Sequence, residues 1–153
     1  MLLIWLLFMW SLVELSLIYR LFKRKHLIFD DRYTKTMCMA ITMVSSFVFA
    51  LYLQLLLPFN ESFYFLLPIL VGLFIGWKFS AIMKAPSTLI GIYNGAVGGI
   101  MGTMLGAVLE NPALCSIPIQ SAPMIATNMY SIAIFIAFLH SLTIHFIRYS
   151  FKV

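Results

Sequence analysis

The sequence predicts an all-α integral membrane protein, folded as a bundle of five transmembrane helices. Of its 153 residues, 63% are hydrophobic and 10% are charged, and the mean hydropathy is +1.02. A soluble domain carries about 25% charged residues. The apolar residues form five runs, each near the roughly 20 residues that cross a bilayer. The runs cover residues 1–19, 36–57, 63–83, 87–109 and 124–147, so we expect one transmembrane domain over 1–153.

The distribution of charge predicts the orientation of the five helices. Every Lys and Arg lies near the membrane face at which the first, third and fifth helices end. The opposite face carries Glu61 and Glu110. Basic loops face the cytoplasm, so we expect the N-terminus outside and the C-terminus inside, in a bacterial cytoplasmic membrane. The charge of +5 therefore predicts no nucleic-acid partner. The basic residues are Arg20, Lys23, Arg24, Lys25, Arg32, Lys35, Lys78, Lys84, Arg148 and Lys152.

The first apolar run differs from a cleaved signal peptide. No basic residue precedes it, its charges follow from Arg20 onward, and no small-residue cleavage site stands before them. We therefore expect an uncleaved first helix.

The third and fourth helices are expected to form a tight antiparallel hairpin. The connection over residues 84–87 is short and contains Pro86, which suits the first position of a helix. The second and third helices are joined by another short turn, over residues 58–62. Pro68 stands one turn into the third helix and predicts a kink there.

The glycines give this hairpin its most specific feature. All eight lie on the third and fourth helices, and the six of the fourth helix share an arc of roughly 100°. Such a surface lets another backbone approach closely. It predicts packing inside one protomer, a seam between protomers, or a groove for an ion or lipid chain, which Asn94 would flank. The glycines are Gly72, Gly76, Gly91, Gly95, Gly98, Gly99, Gly102 and Gly106.

Three ionisable residues lie inside predicted helices. Glu14, Lys78 and His140 stand at similar depth, roughly 9 to 12 Å from the basic boundary. Such groups usually face the bundle interior or water. They predict a Glu14–Lys78 pair with His140 nearby, a proton or cation relay, or a Lys78 that extends to the interface. Ser141 is not expected to face the same way as His140, because sequence neighbours on a helix point apart.

Sulfur side chains cluster at the start of the second helix. Met37, Cys38, Met39 and Met43 are soft ligands of the kind that select Cu(I), and Met39 and Met43 share a helix face. Flexible apolar filling by methionine is the simpler interpretation, and no cofactor is predicted other than this Cu(I) hypothesis. Cys38 and Cys115 fall on opposite sides of the membrane, so they are not expected to pair.

The sequence contains no catalytic or nucleotide-binding motif, so an enzyme is not predicted. The favoured hypothesis is an oligomeric pore or transporter for an ion or small solute. The second is an accessory subunit whose glycine face packs onto a larger membrane complex. The third is an enzyme or metal chaperone that uses the Met and Cys or the His and Glu side chains. The expected partners are the bilayer and either further copies or other subunits.

Overall fold

The computed structural model describes residues 1–25, 31–57, 65–82, 85–115 and 121–150, and it forms five α-helices over these ranges. A short 3-10 helix, Pro112–Cys115, follows the fourth. Glu61, Lys84 and Lys152, together with the turn at 58–62, lie outside the described residues. The helices are α1 (Leu2–Lys25), α2 (Asp31–Leu56), α3 (Leu66–Ser80), α4 (Ala85–Glu110) and α5 (Ala122–Ser150).

Over the described residues, four of the helices are long and apolar enough to cross a membrane, and α3 is a shorter apolar helix. The 15 residues of α3 extend about 22 Å, which is less than the roughly 30 Å of a hydrocarbon core. The all-α membrane class is thus supported, whereas a fifth crossing stays a prediction. Residues 63, 64 and 83 of the predicted third helix lie outside the described residues.

Two boundaries differ from the predicted apolar runs. Helix α1 continues past residue 19 to Lys25, and α2 begins at Asp31 rather than at residue 36. Hydropathy marks where the hydrocarbon ends, but a helix need not end there. Lys and Arg favour the helical state, so the charged ends continue the helices beyond the apolar core.

Pro68 occupies the first turn of α3, because the helix begins at Leu66. The N–H groups of a first turn have no acceptor within the helix. Proline at this position therefore costs no helical hydrogen bond, which removes the reason for the kink that the sequence predicted.

Contacts along the helices establish their directions. The Met1 amino group donates to the Tyr130 hydroxyl at 2.9 Å and the Trp10 indole donates to Ser141 at 3.4 Å, so α1 and α5 run parallel. Helix α2 runs antiparallel to α5, because the Tyr52 hydroxyl donates to the Ala133 carbonyl at 3.1 Å while the earlier α2 residue Ser45 lies beside His140. The glycine contacts described next make α4 parallel to α2 and antiparallel to α3.

These directions gather the basic residues at one end of the bundle. Helices α1, α3 and α5 end where α2 and α4 begin, and the Lys and Arg side chains that the structure describes lie toward that end. Glu110 and Cys115 lie at the opposite end. We call these the basic end and the acidic end.

The glycines of α4 form two rows that face two different helices. Gly91, Gly95 and Gly99 lie against α3; a Cβ added to Gly95 would stand 2.6 Å from the Gly72 carbonyl oxygen and 2.9 Å from the Gly76 Cα. Gly98, Gly102 and Gly106 lie against α2, at Ser46, Phe47 and Gln54. Helix α4 is thus held between α2 and α3 by close backbone contact on both sides.

Two apolar clusters fill the remaining interior. The one toward the basic end joins all the helices except α4 and includes Phe22, Cys38, Phe79 and Ile147. The one toward the acidic end includes Ile4, Leu51, Tyr52, Leu55 and Ala133, from α1, α2 and α5. A layer of polar side chains lies between them.

The close packing of α3 on α4 predicts unequal effects of two alanine substitutions. In Gly95→Ala the new methyl group meets backbone atoms that cannot rotate away, so we expect a loss of about 1–3 kcal/mol in the free energy of unfolding. In Gly99→Ala the nearest atom is Ile69 Cα at 3.2 Å, so a small shift accommodates it. Thermal unfolding in mild detergent compares the two, and equal stability would contradict the described packing.

Candidate functional site

A chain of polar side chains crosses the bundle interior from α1 through α5 to α2. Oε2 of Glu14 lies 3.3 Å from Nδ1 of His140, and Nε2 of the same imidazole lies 3.3 Å from Oγ of Ser45. Each residue comes from the middle part of its helix, far from both ends. We call Glu14, His140 and Ser45 the polar network.

Two further residues hold the Glu14 carboxylate in place. Ser141 donates its hydroxyl proton to Oε1 of Glu14 at 2.5 Å, and the indole N–H of Trp10 donates to Ser141 Oγ at 3.4 Å. Helix α1 faces the part of α5 that carries His140 and Ser141, so both of these consecutive residues reach the Glu14 carboxylate. His140 and Ser141 thus meet at one carboxylate, whose two oxygens they contact separately.

The polar network is mostly buried in this conformation, with Glu14 its most exposed member. The side chain of His140 is 1% exposed, that of Glu14 is 17% exposed, and Ser45 is fully buried. The Phe49 ring packs edge-on against the His140 ring, with centroids 6.3 Å apart. The two apolar clusters separate the network from both ends of the bundle.

The network contains the groups needed to bind a proton. A neutral His140 with its proton on Nδ1 turns that N–H toward Glu14 Oε2, although the 3.3 Å contact lacks hydrogen-bond geometry, and it accepts the Ser45 hydroxyl at Nε2. A second ring proton makes both nitrogens donors, and Ser45 Oγ then becomes the acceptor. The added proton cancels the Glu14 charge, and an uncompensated charge is costly in the membrane interior. The buried Oγ of Ser11, also on α1, makes no hydrogen bond among the described residues. It is a further hydroxyl on that helix that could donate or accept a hydrogen bond.

The same three residues are in the order of a serine hydrolase triad. A hydroxyl faces one imidazole nitrogen and a carboxylate faces the other, which is the arrangement that activates a serine nucleophile. Nucleophilic attack requires substrate at the serine, however, and Ser45 is 0% exposed. The geometry therefore permits nucleophile activation, but it provides no access to Ser45 in this conformation.

Lys78 does not join the network. Its ammonium lies on the outer surface of α3, 5.4 Å from the Phe74 ring centroid and 5.6 Å from that of Trp77. The predicted Glu14–Lys78 pair is wrong; the carboxylate is held by α5, and the long lysine side chain extends along two aromatic faces. Of the three ionisable residues singled out in the sequence, the structure joins Glu14 and His140.

The predicted glycine surface and Asn94 are largely covered by neighbouring helices, although Gly98 also lines a cavity between α2, α4 and α5. All eight glycines meet atoms of a neighbouring helix in the same chain at the positions where a side chain would stand. Asn94 is 8% exposed, and its amide donates to the Ile90 carbonyl at 2.8 Å within α4. Of the three interpretations, the geometry corresponds to packing within one protomer.

The four sulfur residues of α2 separate onto two faces. Met37 and Cys38 are buried in the cluster at the basic end, whereas Met39 and Met43 are 41% and 39% exposed on the outside. Met39 and Met43 thus share the outer face, apart from Met37 and Cys38. Among the described residues, no group of three His, Cys, Asp or Glu side chains is placed to hold a metal.

A cavity of about 380 Å³ lies beside the polar network, between α2, α4 and α5. Val44 and Leu139, which directly precede Ser45 and His140 in the sequence, form part of its wall together with Val48. The remaining lining is apolar apart from Thr143, whose hydroxyl donates to the Leu139 carbonyl within α5. The exposed side chains of Met43 and Met101 stand at its outer rim, so the cavity faces the lipid.

The sequence contained a signal for the missed residues. Ser11 and Glu14 lie three apart on α1, and Ser45 is a polar residue in the middle of the apolar α2. Polar residues at matching depth in several apolar helices indicate a shared polar layer. Depth alone, however, does not tell which helix faces turn toward each other. It therefore groups Lys78 with Glu14 and His140 and gives no reason to add Ser45.

Comparison of the chain with protein families, with curated proteins and with solved structures finds no match. The functional argument therefore rests on the geometry of the polar network and the adjoining cavity.

Proposed function

We propose that this membrane protein is a small proton-linked transporter in which the polar network is the proton-binding site. The observation that carries the proposal is the continuous Glu14–His140–Ser45 contact, buried between two apolar clusters. Buried ionisable residues in membrane helices are typical of proton relays. His140 suits the role because imidazole gains and loses a proton near neutral pH.

A carrier fits this arrangement better than an open pore. The apolar clusters close the network from both ends of the bundle, and the glycines pack against neighbouring helices, Gly98 among them although it also lines the cavity. An occluded site requires the helices to move before a proton can leave. Helices α1 and α5 are suited to such movement, because they contact each other and α2 through side chains and make none of the glycine contacts.

The lining of the cavity next to the network favours one class of solute. Its wall is apolar, which favours an uncharged, weakly polar molecule over a hydrated ion. A proton bound at His140 or Glu14 would alter the helix positions that form the wall at Leu139 and Val44. This coupling is the physical link between proton and solute in the proposal.

The transporter proposal predicts that proton flux depends on His140 and not on His145. Both histidines lie on α5, but His145 is exposed on its outer face. In proteoliposomes loaded with a pH-sensitive dye and given a pH gradient, we expect His140→Gln and Glu14→Gln to lose at least tenfold in rate. His145→Gln should keep the wild-type rate. A wild-type rate equal to that of protein-free liposomes, or an unaffected His140→Gln, would refute the proposal.

A membrane hydrolase is the second candidate, favoured by the serine–histidine–carboxylate order. It would require an opening that exposes Ser45. A fluorophosphonate probe tests it, because it labels an activated serine covalently. The hydrolase predicts labelling that Ser45→Ala abolishes and Ser46→Ala preserves; Ser46 is the matched control because its hydroxyl is bound to the Thr42 carbonyl at 2.6 Å. Complete absence of labelling in the folded protein would exclude this candidate.

The orientation proposed for the transporter is with the N-terminus outside and the basic end in the cytoplasm. The alternating helix directions and the gathering of Lys and Arg at one end support it. An impermeant maleimide applied to intact cells should label exposed Cys115 and leave buried Cys38 unlabelled. Labelling of Cys115 only after the cells are broken would reverse the orientation.

The fold gives little support to the accessory-subunit alternative. Its docking surface was to be the glycine face, and α2 and α3 of the same chain cover that face. Oligomer formation through the same face meets the same obstacle. Foreign subunits that co-purify in stoichiometric amounts would nevertheless favour the accessory role, at a different surface.

A further inference from the structure

A second feature, independent of proton transport, lies on the outer surface of the bundle between α1 and α3. A groove of about 320 Å³ has apolar walls formed by Leu12 and Leu15 of α1 and by Phe74, Ile75 and Phe79 of α3. Lys78 stands at this groove as its one described cation. Ile75 and Phe79 form a buried floor, whereas Leu12 and Phe74 are exposed at the rim.

We propose that this groove binds one anionic phospholipid, with an acyl chain along the apolar walls and the phosphate against the Lys78 ammonium. The position of Lys78 suits a headgroup, because it stands two residues before the last residue of α3, toward the basic end. Tyr19 lies at the same level, with its ring packed edge-on against Phe79 at 5.4 Å. The groove therefore extends from the headgroup region into the hydrocarbon, as a lipid molecule does.

The charge of Lys78 has no counterpart within the described protein. Its neighbours are the Phe74 and Trp77 rings, which attract a cation but cannot neutralise it. Of the carboxylates with described side chains, Glu14 is held by His140 and Ser141, and Glu110 lies at the acidic end. An anion from the bilayer is the partner within reach of a cation that faces lipid.

The basic end of the bundle adds further positive charge. Arg20 and Arg24 lie at this end, where they line a separate groove on another face of α1 with Leu17 and Leu21. Basic residues near the membrane surface attract anionic lipids, each by enough to change affinity about fivefold. The groove thus combines apolar length with a positive end, which distinguishes an anionic phospholipid from a zwitterionic one.

Native mass spectrometry of the delipidated protein, titrated with phosphatidylglycerol or phosphatidylcholine, tests the proposal. We expect one phosphatidylglycerol to bind at least fivefold more tightly than phosphatidylcholine. Lys78→Gln should lose about fivefold in affinity for phosphatidylglycerol, and Lys78→Arg should retain it. Arg148→Gln is the matched control, since it removes an exposed cation of the same end from α5, away from the groove.

A variant that leaves the charge intact makes the test decisive even if Lys78→Gln fails to fold. Leu12→Trp fills the exposed rim of the groove and should weaken binding of both lipids. Equal affinity of the wild type for the two lipids, or unchanged phosphatidylglycerol binding in folded Lys78→Gln or in Leu12→Trp, would overturn the proposal. So would a lipid-free dimer that Lys78→Gln dissociates, since a second copy would then be the occupant.

Discussion

Close backbone contact of α4 with α2 and α3 is the constraint on which the rest of the bundle depends. In lipid, apolar side chains gain little by leaving their surroundings, so helices associate through van der Waals contact and hydrogen bonds. Gly95 meets Gly72 and Gly76, and Gly102 meets Phe47, at distances that leave no room for a Cβ. Helices α2, α3 and α4 are thereby fixed as one unit, and α1 and α5 lie against the remaining side of α2.

The polar network lies at that second, less tightly packed interface. Helices α1 and α5 have no glycine, so they approach α2 through side chains, and the space between them holds an imidazole and a carboxylate. A buried charge pair is seldom retained for stability alone, because apolar replacements of similar volume are often as stable. In the proposed transporter, the three-helix unit would hold the fold and the polar interface would provide the group that changes state.

The sequence was sufficient to predict the membrane class, the helical elements and the residues that matter for packing, because bilayer thickness and glycine spacing act locally. It could not predict which helix each residue faces. Six glycines on one arc looked like a single surface, yet Gly95 and Gly98 lie on two rows that serve two neighbours. Depth left open whether Glu14 pairs with Lys78 or Lys78 extends outward, and the helix arrangement places α5 beside Glu14 and turns Lys78 outward. Such outcomes depend on rotation about each helix axis, which is decided by packing between helices far apart in sequence.

The central claim is that His140 takes up a proton while it contacts Glu14 and Ser45. Nitrogen NMR of histidine-labelled protein in bilayers measures this directly, with the His140 signals identified by their loss in His140→Gln. Across pH 5 to 8 we predict that the protonated state of the His140 ring changes, and that Glu14→Gln displaces this transition. A His140 signal that keeps one neutral tautomer throughout, unaffected by Glu14→Gln, would mean that the network is structural and would contradict the account.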